Sequence, residues 1–334
     1  MLDDRKAAIL RAVVEEYIDT AQPVGSSHVV RAARVAVSSA TIRNEMSVLE
    51  REGYLVQPHT SAGRIPTDKG YRFFVDQLAG PGKLDASKRQ LVREFFDTAH
   101  GELEQMLHDT TRLLSKLTDY AAVVVRQPDD AVTVRSVQLV GLAPHVALAV
   151  VVLSNGAVEK RTIEFRPGVD EACLGAAGGR VAAAMNGRPL RDPGTVLATG
   201  DEATDAIVAS VMAALADAGK DDEGGQVFLG GVSRMASAFD AVDVVRQVLV
   251  TLEQQFVVVS LLRDVLDRGL SVAIGAEHGL EDLASCAVVV SHFDSPGGAG
   301  GTIGIVGPTR MHYPQAMAAV ALVSQRLGRR LADG

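Results

Sequence analysis

The 334 residues read as an α+β chain, and three observations carry that reading. Apolar residues recur at helical spacing within the first 53 residues, in three short stretches separated by proline, glycine and serine breaks. A tight two-strand pattern follows at once, around the turn Pro58 to Gly63. Beyond residue 120, short β-branched runs alternate with alanine-rich helical stretches. Three helices closed by a hairpin are the element order of a winged helix-turn-helix, so the chain is expected to open with that module and continue into a mixed helix and sheet portion.

Ile9, Val13 and Tyr17 recur every four residues with Leu10 and Val14 beside them, which predicts an amphipathic helix over 4–20, ended by Pro23 and Gly25. Ser26 or Ser27 then caps a short helix to about Ala33. Past Val35 and Val37, Ser38 or Ser39 caps a third helix that runs to about Glu52 and stops at Gly53. Within it Ile42, Met46 and Leu49 share one face and are candidate core. The opposite face presents Ala40, Asn44, Ser47 and Arg51, with Thr41 and Arg43 on its flanks and Ser39 at its start. Small residues admit close approach to a duplex, Asn pairs bidentately with adenine, and Arg does so with guanine. Taken by itself such a face fits a solvated helix surface better than a reading head.

The segment that follows reverses that balance. Tyr54 to Gln57 and Arg64 to Thr67 read as paired strands, a wing placed directly after the third helix. Its tip offers His59, Thr60, Ser61 and Arg64 as donors for phosphate oxygens or the minor groove, and Gly63 permits close backbone approach. Thr67 caps a further helix bearing Tyr71, Phe74, Val75 and Leu78, and Ala79-Gly80-Pro81-Gly82 reads as a linker, placing a domain boundary near residue 80.

These residues carry a family resemblance. The stretch Ser39-Ala40-Thr41-Ile42-Arg43-Asn44-Glu45-Met46, then Gly53-Tyr54-Leu55 and above all Pro58-His59-Thr60-Ser61-Ala62-Gly63-Arg64-Ile65-Pro66-Thr67 resembles the winged-helix segment of the HrcA heat-inducible transcription repressors. Gly70 to Asp76 and the distant Gly304 to Met311 resemble that family too. The resemblance implies a GAF-like α/β domain interrupted by an inserted dimerising domain. The expected division is 1–80 for the winged helix, 81–166 and 240–334 for the two parts of the GAF-like domain, and 167–239 for the insertion. It also implies a homodimer on a double-stranded DNA inverted repeat upstream of chaperone operons, with a chaperonin as the partner that keeps the repressor competent.

The remaining elements follow in order. Residues 85–120 are helical, with Leu103, Leu107, Thr110, Leu114 and Leu117 on one seam that either pairs with another helix or packs internally. Apolar runs at 133–140, 146–153 and 158–165 read as strands, the last two joined as a hairpin by Asn155-Gly156. Helices are expected at 169–186 and 202–218, a strand at 227–229, a helix at 240–267, strands at 270–275, 286–291 and 302–306 with a glycine-rich turn at 297–301, and a last helix at 314–330.

Composition narrows the function classes. Net charge is −8, from 33 Lys and Arg against 41 Asp and Glu, which argues against non-specific coating of nucleic acid. Residues 1–80 hold ten of each sign, so the acidic excess lies elsewhere. Apolar runs such as Val146 to Leu153 fall well short of a membrane span, and the start Met1 to Lys6 lacks a secretory pattern, so the chain reads as cytoplasmic. Two cysteines, 173 and 286, and eight scattered histidines form no ligand pattern, and neither Gly298 to Gly304 nor Gly231-Val-Ser-Arg completes a phosphate loop or a nucleophile elbow. No catalytic residue, cofactor or metal is expected. The competing reading is a small-molecule-sensing regulator with its ligand pocket in the C-terminal domain.

Overall fold

The computed structural model describes residues 2–333 apart from 33–37, 60–61, 79, 81, 99–102, 127–131, 155–157, 167, 191, 193, 222–225, 237–238, 240–241, 270 and 295–299. The chain divides into two compact units. One comprises Met1–Val125, Val227–Phe293 and Thr302–Gly334, and the other Arg126–Gln226 with Asp294–Gly301.

The first unit begins with α1 (Asp4–Thr20), α2 (Ser26–Ala32) and α3 (Ser39–Arg51), followed by the two-residue strands β1 (Leu55–Val56) and β2 (Ile65–Pro66). Asp3 caps α1 by accepting from the Lys6 amide, and the helix ends at Thr20, as its 4–20 periodicity predicts, ahead of Pro23 and Gly25. There Ala21 takes the left-handed conformation at φ +53° and its amide donates to the Tyr17 carbonyl. Of the two candidate caps for α3, Ser38 is the one used: its Oγ accepts from the Thr41 amide at 3.2 Å. Neither Ser26 nor Ser27 precedes α2; Gly25 stands there, and Ser26 is already helical with its hydroxyl 3.0 Å from that of Ser39. Ile42, Met46 and Leu49 are buried as their spacing requires, against Ile9, Leu10, Val13 and Val29.

The linker expected near residue 80 does not separate helix α4 (Asp68–Asp76) from the elements that follow it. Capped by Thr67, α4 packs straight onto the rest of the first unit. Arg72 donates from Nε to Glu277 at 2.8 Å, from NH2 to the same carboxylate and to the Val272 carbonyl at 2.8 Å, while the Asp68 carboxylate accepts from the Ala276 amide at 3.2 Å. The rings of Tyr71 and Tyr313 lie 6.0 Å apart. Gly82, read as linker, donates its amide to the Pro314 carbonyl at 3.0 Å with no room for a side chain. Apolar burial therefore runs continuously from residue 9 to residue 327 in one cluster.

A five-stranded sheet forms the centre of that unit, in the order β7 (Gln226–Gly230), β3 (Ala121–Arg126), β10 (Gly301–Pro308), β9 (Cys286–Phe293), β8 (Val272–Ile274). Strands β3, β8, β9 and β10 are buried along nearly their whole length on both faces, which explains their unbroken apolar runs, while the edge strand β7 is partly buried. Ala122, Val124, Val289 and Ile305 face the cluster of α5 (Ala86–Thr98), α6 (Leu103–Thr118) and α12 (Tyr313–Asp333), while Ala121, Val123, Val288 and Val306 face α10 (Val242–Glu253) and α11 (Gln255–Asp267). Leu107, Thr110, Leu114 and Leu117 of the α6 seam are buried inside this unit, which decides between its two readings. The single helix expected over 240–267 is two, broken at Gln254, whose non-helical backbone (ψ 87°) starts α11 afresh. A one-turn helix, α9 (Val232–Ala236), precedes them.

The second unit is a three-stranded antiparallel sheet, β4 (Val134–Ala143), β5 (Val146–Leu153) and β6 (Val158–Glu164), covered on one face by α7 (Glu171–Met185) and α8 (Glu202–Asp221). Pairing of Val152 with Val158 bears out the hairpin, although Asn155 and Gly156 themselves lie outside the described residues, as does most of the glycine-rich 297–301 turn. The expected insertion at 167–239 is thus displaced: the separate unit runs from 126 to 226. The reason is physical. Ala149, Val151 and Ile163 bury their one apolar face on Leu174, Val181 and Val211 instead of joining the larger sheet.

Candidate nucleic-acid interface

Helix α3 turns Ala40, Arg43, Asn44 and Arg51 to solvent, and the side chains of Arg43, Asn44 and Arg51 make no hydrogen bond or ion pair among the described residues. They are two cations and an amide held on a helix whose other side is locked in the core, so their Cα positions are fixed while their polar ends stay uncommitted. That is the state required of groups that exchange water for base edges or phosphates.

The hydroxyls among the candidates are differently placed. Ser39 lies 3.0 Å from Ser26, Thr41 lies 3.0 Å from Ser38, and Ser47 donates to the Arg43 carbonyl at 3.1 Å. They tie the helix to its own cap and to α2, and each retains a further lone pair or proton for an outside partner.

In the hairpin, His59 is exposed, and Thr60 and Ser61 lie outside the described residues. The turn is closed by the Ala62 amide donating to His59 O and by Gln57 Nε2 donating to Ala62 O, both at 2.9 Å. Two expectations are corrected here. Arg64 does not reach outward from the tip: its Nε and NH2 donate to Glu50 Oε2 at 3.0 and 2.9 Å and NH2 also donates to Ser47 Oγ at 3.2 Å, leaving the side chain 15% exposed. Gly63 serves the protein's own backbone, since a Cβ there would fall 2.5 Å from the Val24 carbonyl. That closeness lets Val24 and Arg64 exchange amide bonds of 2.9 Å in each direction, adding a third rung to the β1–β2 ribbon. A glycine needed for close approach is legible in sequence, but which surface approaches is not.

Sequence reasoning missed two further residues. Glu50 holds Arg64, with no local spacing that links them. Lys69 donates to the Glu52 carbonyl at 2.7 Å, placing a cation at the C-terminal end of α3, and sits 4.3 Å from the Tyr54 ring centre. Elsewhere, Glu277 pairs with Arg72, His278 is buried with its ring nitrogens bonded to Leu283 O and the Leu280 amide, and His292 is exposed. Among the described residues, no three His, Cys, Asp or Glu side chains gather as a metal site, and no single helix is long and apolar enough to cross a membrane.

A family model described as HrcA protein C terminal domain matches residues 104–317. A heat-inducible transcription repressor HrcA of Nocardia farcinica is 38% identical over 339 residues, covering 99% of this chain and 97% of that protein. The chain belongs to the HrcA family. Its likeness to the repressor HrcA of Acidothermus cellulolyticus is 40% over 343 residues, the full length of both. Among solved structures, a hypothetical protein determined by crystallography superimposes with a TM-score of 0.64 at 21% identity, covering 100% of this chain and 99% of that one, a likeness of fold. The family model begins at residue 104, so the α3 and hairpin surface lies outside it, and full-length relatives are what bring residues 1–103 into the HrcA family.

Proposed function

We propose that this HrcA-family chain represses transcription by setting a winged helix-turn-helix, residues 4–76, on an inverted-repeat operator as a homodimer. The observation that carries the reading is the uncommitted Arg43, Asn44 and Arg51 on a helix packed by Ile42, Met46 and Leu49, next to the paired strands β1 and β2. Ala40 allows close approach of α3 in the major groove, Asn44 and Arg43 read base edges, and Arg51 and His59, with Thr60 and Ser61 of the tip, contact the backbone. The hydroxyls of Ser39, Thr41 and Ser47 add phosphate donors at the helix start and flank. Equal numbers of acidic and basic residues in 1–80 leave little non-specific attraction, so affinity rests on these few groups.

One such module reads only a few base pairs, so two-fold pairing of chains is the economical way to reach operator selectivity. The first unit beyond α4 stands as the GAF-like domain, and the 126–226 unit, with its one-sided sheet, as the dimerising part. Relatives named heat-inducible transcription repressors support control by heat. In this reading a chaperonin maintains the competent fold. The test is a gel-shift titration of the full chain against the inverted repeat upstream of its own gene and a scrambled duplex, at physiological salt, with and without chaperonin and ATP. Selective binding to the repeat, strengthened by chaperonin, is expected. Equal binding to both duplexes overturns the reading and directs attention to ligands of the C-terminal domain.

A further inference from the structure

We infer that Arg64 is a positioning residue, one that sets the angle of the wing against the recognition helix through Glu50 and Ser47 and does not itself touch DNA. The inference rests on the winged-helix reading above. The backbone amide and carbonyl of Arg64 and its Nε and NH2 are all bonded within the protein. Its backbone amide and carbonyl pair with Val24, at the start of the α1–α2 connection's descent into α2. Its guanidinium spans Glu50 and Ser47 of α3, one helical turn apart as a rigid fork can bridge. A single residue thereby joins β2, the segment before α2, and α3.

The chain of contacts reaches the reading face. Ser47, which accepts from Arg64, donates to the carbonyl of Arg43, and Arg43 is the exposed cation beside Asn44. A wing displaced on its two-residue strands carries His59 with it, because Ala62 accepts from Gln57 and donates its amide to the His59 carbonyl. The strands β1 and β2 are too short to hold that geometry by ladder bonds alone. Glu50 would be a repulsive neighbour for phosphates if it stood free, and the ion pair neutralises it there.

Glu50 separates positioning from contact because the two roles predict opposite signs. The experiment titrates the full chain and its Arg64→Ala, Arg64→Lys, Glu50→Gln and Arg64→Ala/Glu50→Gln variants against the upstream inverted repeat and the scramble, at several salt concentrations. Amide exchange of Val24 and Arg64 is followed in the free proteins. The expected result is about tenfold weaker binding to the repeat in Arg64→Ala and Glu50→Gln alike. The double variant is no weaker than either single one, the salt slope is unchanged, and exchange at Val24 and Arg64 is faster. Arg64→Lys, which keeps the charge but loses the fork, behaves like Arg64→Ala; should Arg64→Ala not fold, the lysine and Glu50 variants carry the same comparison. Unchanged or tighter binding by Glu50→Gln, with a salt slope smaller by about one in Arg64→Ala, makes Arg64 a phosphate contact and overturns the inference. A loss that falls equally on repeat and scramble overturns it as well, as does unaltered amide exchange. If the parent chain fails to distinguish the two duplexes, the repressor reading fails, and the exchange data still decide whether Arg64 holds the wing.

Discussion

Asn44 and Arg43 are adjacent in sequence and uncommitted in space, so each substitution removes a separable contact. Asn44→Ala or Arg43→Ala is expected to weaken operator binding by about 1–3 kcal/mol and to relax preference at one base position, as a panel of single-base operator variants would reveal. At the same scale His278 makes a pH-dependent contribution. The Leu280 amide donates to Nδ1, so the proton sits on Nε2 and is given to Leu283 O at 3.0 Å, and burial pushes the imidazole below its ordinary value of 6.5. The unfolded chain therefore takes up this proton first as pH falls, and stability declines from about pH 6.5 downward until the folded imidazole itself protonates. Burial opposes ionisation of Glu277, but bonds from Arg72 and the Ile274 amide outweigh it and hold the carboxyl below 4.5, so its share of stability is present above that value and lost at lower pH. Urea unfolding at pH 7.5 and 5.5 should isolate the histidine step, and His278→Gln should flatten it.

At the scale of elements, the helix starts and the ribbon depend on single atoms. Ser38→Ala removes the acceptor for the Thr41 amide and should cost about 1 kcal/mol in chemical denaturation. Gly63→Ala places a methyl group against the Val24 backbone, and overpacking of about 1–3 kcal/mol should appear as loss of the Val24–Arg64 amide protection while α1 to α3 keep theirs. The third helix was legible because cap, core spacing and stop coincide in Ser38, Ile42–Met46–Leu49 and Gly53. The break at Gln254 was not, since apolar residues continue through it on both sides without a proline or glycine. Likewise the candidate face could be read from spacing, but the withdrawal of Arg64 from it depends on Glu50, fourteen residues away.

For the whole molecule, the consequential contact is the seam between α4 and the 272–277 segment. Arg72 and Glu277 are each less than a third exposed and share several hydrogen bonds, and the Asp68 carboxylate fills the place where a Cβ at Gly275 would stand. The segment carrying α3 is therefore held to the sheet through α4 and not tethered by a free linker. In the proposed repressor, heat that loosens this seam would alter the presentation of α3. Glu277→Gln leaves a partly buried guanidinium without its ion pair, at a cost of about 1–3 kcal/mol. A melting temperature lower by a few degrees and release of the inverted repeat at a correspondingly lower temperature are expected, the first by calorimetry and the second by gel shift. Lower melting with an unchanged release temperature would separate the seam from heat control.

Sequence alone determined what repeats over short range: three helices with their core faces, the hairpin after them, the strands of both sheets other than β3 and the motif that resembles the HrcA family. Local periodicity and turn chemistry suffice for these because the interactions span a few residues. Tertiary structure decided where the chain divides into compact units, at 126 and 226, and that α4 packs against the 272–277 segment instead of ending in a free linker. It also decided which polar side chains remain free at the interface. Both outcomes turn on pairings such as Arg64 with Glu50 and Arg72 with Glu277, the latter 205 residues apart, between groups whose spacing carries no periodic signal.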